Sequence, residues 1–165
     1  MSDTTILNGK KLLLVDDEPD VIETLVDLLD MCTTDTAGDF ETAEKLLNEN
    51  VYDIAVFDIM GVSGYDLLEV ANKKGVPALM FTAHALNPDD FVKSIEGGAK
   101  AYIPKEKMPE IATFLADLLS AHQAGTQTHR GWFDKLDSFF EKQFGTEWLK
   151  RYREFNEKYD FYNED

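Results

Sequence analysis

Short apolar runs alternate with segments of helical periodicity over residues 11–121 of the chain. Residues 11–15, 54–57 and 76–81 form nearly continuous apolar runs. Such runs are typical of strands that are buried on both faces of a parallel sheet. Weaker runs at 33–37 and 101–103 predict two further strands. The first part of the chain is therefore predicted to contain five strands.

A segment with apolar residues at helical spacing follows each predicted strand. Pro19 suits the first turn of the first helix, where its missing N–H costs nothing. Asp39 is a suitable N-cap for the second helix. The other three helices are predicted over residues 65–73, from residue 88 to the Gly97–Gly98 pair, and over 111–121. Five consecutive strand–helix units indicate a parallel sheet covered by helices on both faces.

The composition of the chain changes after residue 123. Residues 124–129 are small and polar, which predicts a linker, and residues 130–165 contain more than half of the aromatic side chains. Two apolar stripes separated at Gly145 predict a helical hairpin over 130–165. Two short helices cannot bury both stripes by themselves. We expect this extension to dock on the preceding domain or on a second copy, forming a homodimer; the alternative is a different protein.

The net charge and the single cysteine argue against several classes of partner and covalent structure. The chain has 165 residues and a formal net charge of -16 at pH 7. This charge argues against nucleic-acid and anionic-membrane partners, because both are bound through Lys and Arg. Cys32 cannot form an intrachain disulfide, and we expect it to be a small buried hydrophobe. The sequence has no signal peptide or membrane-spanning run, which predicts a cytoplasmic protein.

Polar side chains stand where four of the five predicted strands end. Asp16 and Asp17 follow the first strand, Asp58 ends the third, and Thr82 and Lys105 follow the fourth and fifth. Ligands of open parallel sheets bind at this edge. Three carboxylates gathered there need more positive charge than one lysine supplies, and Mg²⁺ prefers such oxygen ligands. The sequence therefore predicts a Mg²⁺ pocket at this edge.

The remaining groups at the predicted edge suit phosphoryl transfer. Asp58 is the best candidate nucleophile, because it ends the central strand and an aspartate can form an aspartyl phosphate. Lys105 and the Thr82 hydroxyl can each bind a phosphoryl oxygen. These three residues are the predicted catalytic groups.

Four segments of the chain resemble the receiver domain of two-component response regulators. They read LLVDDE at 13–18, VFDIM at 56–60, FTA at 81–83 and YIPK at 102–105. The segments come in the family's order and near its spacing. The resemblance covers about residues 9–121, and we place the receiver domain at residues 9–123. It implies a three-layer α/β sandwich with a five-stranded parallel sheet, flavodoxin-like in its strand order 2-1-3-4-5.

The resemblance also implies roles for the acidic residues. Asp58 would accept a phosphoryl group from a sensor histidine kinase or a phosphotransfer protein. Asp17, Asp58 and the backbone carbonyl of Met60 would bind Mg²⁺ directly, and Asp16 would act through water. The chain would catalyse only its own phosphorylation and dephosphorylation, and would signal to a downstream protein that the sequence does not identify.

Further roles implied by the resemblance concern the fourth and fifth strands. Thr82 and Tyr102 would form the switch pair that couples phosphorylation to the surface of the fourth helix and fifth strand. Tyr102 has an alternative role in packing alone. His84 occupies a position where the family uses varied side chains to tune loss of the phosphoryl group, and its alternative is an ordinary exposed loop residue.

The sequence departs from the family pattern after Asp58 and after Lys105. The loop at residues 59–64 lacks the family's Met-Pro pair and is two residues short, although Gly61 permits a tighter turn. Glu106 stands where the family has proline. The shortened loop after Asp58 motivates an alternative function, a binding module that keeps the fold without accepting a phosphoryl group. A phosphate-ester hydrolase is a weaker alternative, because the nucleophile of the related phosphatases follows the first strand.

Overall fold

The structure is a computed structural model that describes residues 4–82, 88–125 and 142. Its centre is a five-stranded sheet in the order β2-β1-β3-β4-β5, and all four strand pairs are parallel. The strands are β1 Lys11–Val15, β2 Thr33–Ala37, β3 Ile54–Asp58, β4 Ala78–Thr82 and β5 Ala101–Pro104. Every residue of β3 and β4 is buried, whereas the edge strand β2 is mostly exposed or half-buried. This difference explains why only the inner strands read as strong apolar runs.

Five helices cover the sheet. They are α1 Pro19–Leu28, α2 Phe40–Glu49, α3 Gly64–Lys73, α4 Pro88–Glu96 and α5 Ile111–Ala124. Helix α1 packs against α5, whereas α2 packs against α3. Parallel crossovers are right-handed, so these two pairs lie on opposite faces of the sheet. The three-layer α/β sandwich and its strand order 2-1-3-4-5 are confirmed.

The sequence signals for the first two helices correspond to real helix starts. Pro19 is the first residue of α1. Asp39 is the N-cap of α2, and its Oδ1 accepts a hydrogen bond of 2.7 Å from the backbone N–H of Thr42. This bond satisfies one of the free donors at the helix start. With the carboxylate so engaged, the pKa of Asp39 lies below its usual value.

The core lies between the sheet and the two helix layers. The inward side chains of β1, β3, β4 and β5 are almost completely buried, as is the apolar stripe of α5. The buried residues form one continuous hydrophobic cluster, with Phe57, Phe81, Phe91 and Tyr102 as its largest fully buried side chains. The central strands are therefore held in register by burial on both faces, which fixes where each strand ends.

Several boundaries differ from the sequence-based ones. Strand β4 begins at Ala78, after the Val76–Pro77 pair, and α5 continues to Ala124, where Gly125 in the left-handed conformation ends it. The 3₁₀ helices Thr4–Leu7 and Lys105–Glu110 were not predicted. Short 3₁₀ turns carry too little periodic signal to be read from a sequence.

Cys32 was expected to be a small buried hydrophobe, but it is only half-buried, with its side chain packed against the edge of the hydrophobic core. Its thiol donates to the carbonyl oxygen of Leu7 at 3.5 Å, which ties the loop after α1 to the N-terminal 3₁₀ helix. Burial is the main reason that the pKa of the Cys32 thiol is raised.

The predicted linker at residues 124–129 begins two residues too early, because Ala124 ends α5 and Gly125 caps it. The rest of the linker and the predicted helical hairpin lie outside the described residues, apart from residue 142. The other predicted domain limits therefore stay predictions. Within the described part of the chain, no helix combines the length and the apolar character that crossing a bilayer requires.

Candidate functional site

Asp16 and Asp58 are brought together by the register of the two central strands. Val15 pairs with Phe57, so the residue after each of them lies at the carboxyl edge of the sheet. Strand order reverses between β1 and β3, which places both aspartates at the topological switch point. Their exposed fractions are only 2% for Asp16 and 5% for Asp58. Two nearly buried carboxylates therefore face one another at the position where such sheets bind ligands.

Lys105 is the cation that reaches these two carboxylates. Its Nζ lies 2.6 Å from Asp16 Oδ2 and 3.3 Å from Asp58 Oδ1. The side chain runs from the end of β5 back across β4, with Nζ 5.9 Å from the centre of the Phe81 ring. Among the described residues, only Lys105 forms ion pairs with the acids at this edge.

Burial determines the direction of the pKa shift of Asp16, whereas contacts with carboxylates determine that of Lys105. Burial raises the pKa of Asp16, and the negative charge of Asp58 adds to the rise, although the hydrogen bond from Lys105 opposes it. Burial alone would lower the pKa of Lys105, but its contacts with Asp16 and Asp58 outweigh burial and raise that pKa. Lys105 therefore stays an ammonium ion. Ionisation of Asp16 is disfavoured by burial and by the negative charge of Asp58.

Asp17 and Glu18 complete the acidic cluster on its exposed side. One carboxylate oxygen from each of Asp16, Asp17 and Glu18 lies within 4.8 Å of the others. The backbone N–H of Glu18 donates to Asp16 Oδ1 at 2.9 Å, which holds the turn between β1 and α1. Glu18 Oε1 also lies 3.7 Å from Lys105 Nζ. The sequence analysis predicted no role for Glu18, although this residue stands directly after Asp16 and Asp17.

The shortened loop after Asp58 closes as a tight turn against the acidic cluster. The backbone N–H of Gly61 donates to Asp58 Oδ2 at 3.0 Å, and the N–H of Gly64 donates to the carbonyl of Ile59 at 3.1 Å. Ser63 has φ 54° and ψ 53°, the left-handed conformation that is uncommon outside glycine. The side chain of Met60 is 76% exposed at the rim, and the role of its carbonyl stays a prediction.

Thr82 and Tyr102 lie on adjacent strands, as the switch role requires. Thr82 ends β4 and is 8% exposed, and Met80, two residues earlier, pairs with Tyr102. Tyr102 is buried and makes an edge-on contact with Phe91 of α4, with ring centres 5.5 Å apart. The contact joins β5 to α4, but the switch role itself stays a prediction. His84 lies outside the described residues.

The donors at this edge fit a hard divalent cation. Four carboxylates gather beside a single ammonium group, and two of them, Asp17 and Glu18, are open to solvent. The space beside Gly61, which any other side chain would fill, holds the carboxylate of Asp17. Mg²⁺ is commonly held by one or two carboxylates and several waters, and an exposed rim leaves room for those waters.

Glu106 stands directly after Lys105, where the family pattern has proline. The peptide bond between Lys105 and Glu106 is trans, because no cis bond occurs among the described residues.

A parallel α/β sandwich with paired aspartates and a lysine at its switch point defines the class of receiver domains. Residues 12–116 match the family model of the response regulator receiver domain. The chain therefore belongs to the receiver-domain family of two-component response regulators.

Individual relatives agree with this assignment. The chain is 30% identical over 103 residues to the two-component response regulator ARR18 of Arabidopsis thaliana. It is 33% identical over 104 residues to the two-component response regulator ORR24 of Oryza sativa subsp. indica. Each match covers 59% of this chain but only 16% of the length of the relative. A CheY-like receiver domain from Methanospirillum hungatei JF-1 has the same fold, with a TM-score of 0.66 and 22% identity over 71% of this chain and 98% of its own.

Proposed function

We propose that this chain is a phosphoacceptor response regulator, in which Asp58 takes a phosphoryl group from a histidine kinase or a phosphotransfer protein. The observation that carries the proposal is the setting of Asp58. It lies at the switch point, with the Lys105 ammonium 3.3 Å from one carboxylate oxygen and the Gly61 N–H 3.0 Å from the other. A carboxylate held from both sides beside a cation is suited to attack on phosphorus.

The proposed reaction is a direct transfer between two side chains. A carboxylate oxygen of Asp58 attacks the phosphorus atom of a phosphohistidine. The O–P bond forms as the P–N bond breaks, and the departing imidazole takes up a proton from solvent water. Lys105 offsets the negative charge of one phosphoryl oxygen, and the Thr82 hydroxyl donates to another.

Hydrolysis of the aspartyl phosphate is the second step of the proposed reaction and returns the domain to its unphosphorylated state. Water attacks the phosphorus of the aspartyl phosphate, the O–P bond to Asp58 breaks, and inorganic phosphate leaves. The chain then catalyses only its own phosphorylation and dephosphorylation and turns over no separate substrate.

A Mg²⁺ ion would accompany the proposed reaction and would neutralise charge that develops on the phosphoryl oxygens. Asp17, Asp58 and the Met60 carbonyl would hold the ion, with Asp16 acting through water. The gathering of Asp16, Asp17 and Glu18 oxygens within 4.8 Å supports this assignment.

Signalling would follow from altered contacts with other proteins. Thr82 and Tyr102 would transmit the modification to the surface of α4 and β5, and the contact between Tyr102 and Phe91 of α4 supports this path. The proposed partners are a kinase or phosphotransfer protein on the input side and a downstream protein on the output side, all in the cytoplasm.

A test of the proposed reaction uses the full chain with Mg²⁺ and acetyl phosphate as the phosphodonor. We expect intact-mass measurement to find the gain of one phosphoryl group, with none in Asp58→Asn. Asp66→Asn is the matched control, because Asp66 is an exposed aspartate on α3 outside the cluster. An equal mass gain in Asp58→Asn, or no gain in the unmodified chain, would contradict the proposal.

The alternative function is a binding module that keeps the fold without accepting a phosphoryl group. It is favoured by the shortened loop, whose Gly61 N–H already occupies one oxygen of Asp58. Titration with Mg²⁺ distinguishes the two functions. A phosphoacceptor should shift the amide resonances near Asp58 at millimolar Mg²⁺, whereas the binding module should leave them unchanged.

We also propose that the aromatic extension at residues 130–165 mediates a homodimer. The support is its sequence, because two apolar stripes need a surface that buries them. Sedimentation of the full chain should give a dimer, and a chain that ends at Gly125 should sediment as a monomer. Equal sedimentation behaviour of the two chains would contradict this part of the proposal.

A further inference from the structure

Gly61 lies against the carboxylate of Asp17. A Cβ atom placed on Gly61 would come closer to the three carboxyl atoms of Asp17 than nonbonded atoms approach one another. Gly61 does not have the positive φ that disfavours other residues. An alanine at this position would therefore collide with the Asp17 carboxylate, and backbone strain would add nothing to the penalty.

The same residue also holds Asp58. The Gly61 N–H donates to Asp58 Oδ2 at 3.0 Å. Gly61 therefore binds the predicted phosphoacceptor Asp58 through its N–H, while its Cα lies against the carboxylate of the predicted metal ligand Asp17. Among residues 59–64, only Gly61 donates a described hydrogen bond to the side chain of either acid. The position of Gly61 thus sets the distance between the two carboxylates.

The loop around position 61 is anchored in the core on both sides. Ile59 and Val62 flank it and are 3% and 2% exposed, so both are anchored in the core. Asp17, by contrast, is exposed and sits on a short, rotatable side chain. A side chain added at position 61 would therefore displace the Asp17 carboxylate and leave the loop in place.

We propose that Gly61 is a positioning residue of the acidic pocket: its N–H orients Asp58, and its missing side chain reserves the space that the Asp17 carboxylate occupies. The loop between β3 and α3 brings its backbone within reach of Asp17, so that a Cβ atom at position 61 would collide with that carboxylate. The effect on Mg²⁺ binding that this inference predicts rests on the proposed function. The placement of the Asp17 and Asp58 carboxylates by Gly61 does not rest on it.

The variant Gly61→Ala tests the inference, and Gly38→Ala is its matched control. Gly38 also lies beside the cluster, but a Cβ there would sit at an ordinary 3.8 Å from the Asp16 carbonyl oxygen. The first measurement records the side-chain carboxyl ¹³C resonances of the full chain without divalent cations. We expect Gly61→Ala to shift those of Asp17 and Asp58, and Gly38→Ala to leave both in place.

The second measurement is a Mg²⁺ titration of the same proteins. We expect Gly61→Ala to raise the dissociation constant on the order of 10–100-fold, as loss of an orienting partner does at metal sites. In an Asp17→Ala background the same substitution should change it by no more than about twofold, because the displaced ligand is already gone. This non-additivity separates positioning of Asp17 from a general loss of structure.

The outcomes distinguish the inference from the proposed function. Unshifted carboxyl resonances of Asp17 and Asp58 in Gly61→Ala would overturn the inference, whatever the protein binds. Shifted resonances in a chain whose unmodified form does not bind Mg²⁺ would support the inference and count against the proposed function. Additive effects of Gly61→Ala and Asp17→Ala on Mg²⁺ binding would show that Gly61 does not act through Asp17, and would overturn that half of the inference.

Discussion

The ammonium of Lys105 lies 2.6 Å from the carboxylate of Asp16, and both side chains are largely removed from solvent. The closest described partner of this lysine is therefore Asp16, and the phosphoacceptor candidate Asp58 lies farther away at 3.3 Å. Asp16 would hold the lysine in position for Asp58 in addition to its expected contact with Mg²⁺ through water. Removing the lysine would leave two buried carboxylates side by side.

We expect Lys105→Met to lower the free energy of unfolding by about 3 kcal/mol, because breaking a buried ion pair strands the remaining charge. Urea unfolding followed by circular dichroism measures the change. Lys73→Met is the control, since Lys73 pairs with Glu69 at 3.3 Å on the exposed face of α3. That change should cost less than about 0.5 kcal/mol. Equal losses in the two variants would contradict a buried role for Lys105.

Tyr65 links α3 to α4 at the end nearest the shortened loop. Its hydroxyl donates to Asp90 Oδ1 at 3.1 Å, and Lys93 Nζ lies 4.3 Å above its ring. We expect Tyr65→Phe to lower the free energy of unfolding by about 1 kcal/mol, because it removes the hydrogen bond but keeps the ring beneath Lys93. Tyr65→Leu removes both contacts and should cost more. If thermal melts find Tyr65→Phe as stable as the unmodified chain, the hydrogen bond contributes nothing to stability.

The stability of the domain should fall above pH 10 through Tyr52. Burial, the hydrogen bond of 2.7 Å to Asp35 and the charge of that carboxylate all raise the pKa of the Tyr52 hydroxyl, although Lys11 lies near both. A raised folded-state pKa means that its contribution is complete below the unfolded value of 10.0 and is lost as the pH rises above it. Melting temperatures measured from pH 8 to about 11 should therefore decline less in Tyr52→Phe. An identical decline in both proteins would assign the effect to other groups.

The sequence located most of the site because strand ends in a parallel sheet are set by burial. Asp16, Asp58 and Thr82 each follow or end a strong apolar run, and such runs end where the carboxyl edge of the sheet begins. The N-cap Asp39 was equally readable, because its signal lies within four neighbouring residues. These features needed no knowledge of how the loops are folded.

The features that the sequence did not reveal depend on loop paths and on packing between distant residues. The approach of Gly61 to Asp17 joins two loops that are far apart in the chain, and a glycine alone indicates only a permitted turn. The contact of Glu18 with Lys105 also depends on the unpredicted 3₁₀ helix that begins at Lys105. In both cases the local residue pattern was compatible with several loop geometries.

Gly64 is the residue of the shortened loop for which we expect the largest effect on stability. It begins α3, and a Cβ atom there would collide with the carbonyl oxygen of Asp58 and with the Cα atom of Ile59. Both are backbone atoms, one in the last residue of β3 and one in the residue that follows it, so neither can rotate away as the Asp17 side chain can. Its φ is not positive, and the penalty for a side chain would therefore come from this collision alone.

We expect Gly64→Ala to destabilise the domain by roughly 1–3 kcal/mol, the usual cost of forcing an extra group into a packed site. Gly38→Ala is again the control, and Gly61→Ala should fall between the two, because its obstacle is a mobile side chain. Urea unfolding of the three variants gives the ranking. Gly64→Ala should also shift the backbone amide resonance of Asp58, since the collision acts on that residue. A Gly64→Ala variant as stable as Gly38→Ala would mean that the turn after Asp58 has room for longer side chains and is not held tightly against β3.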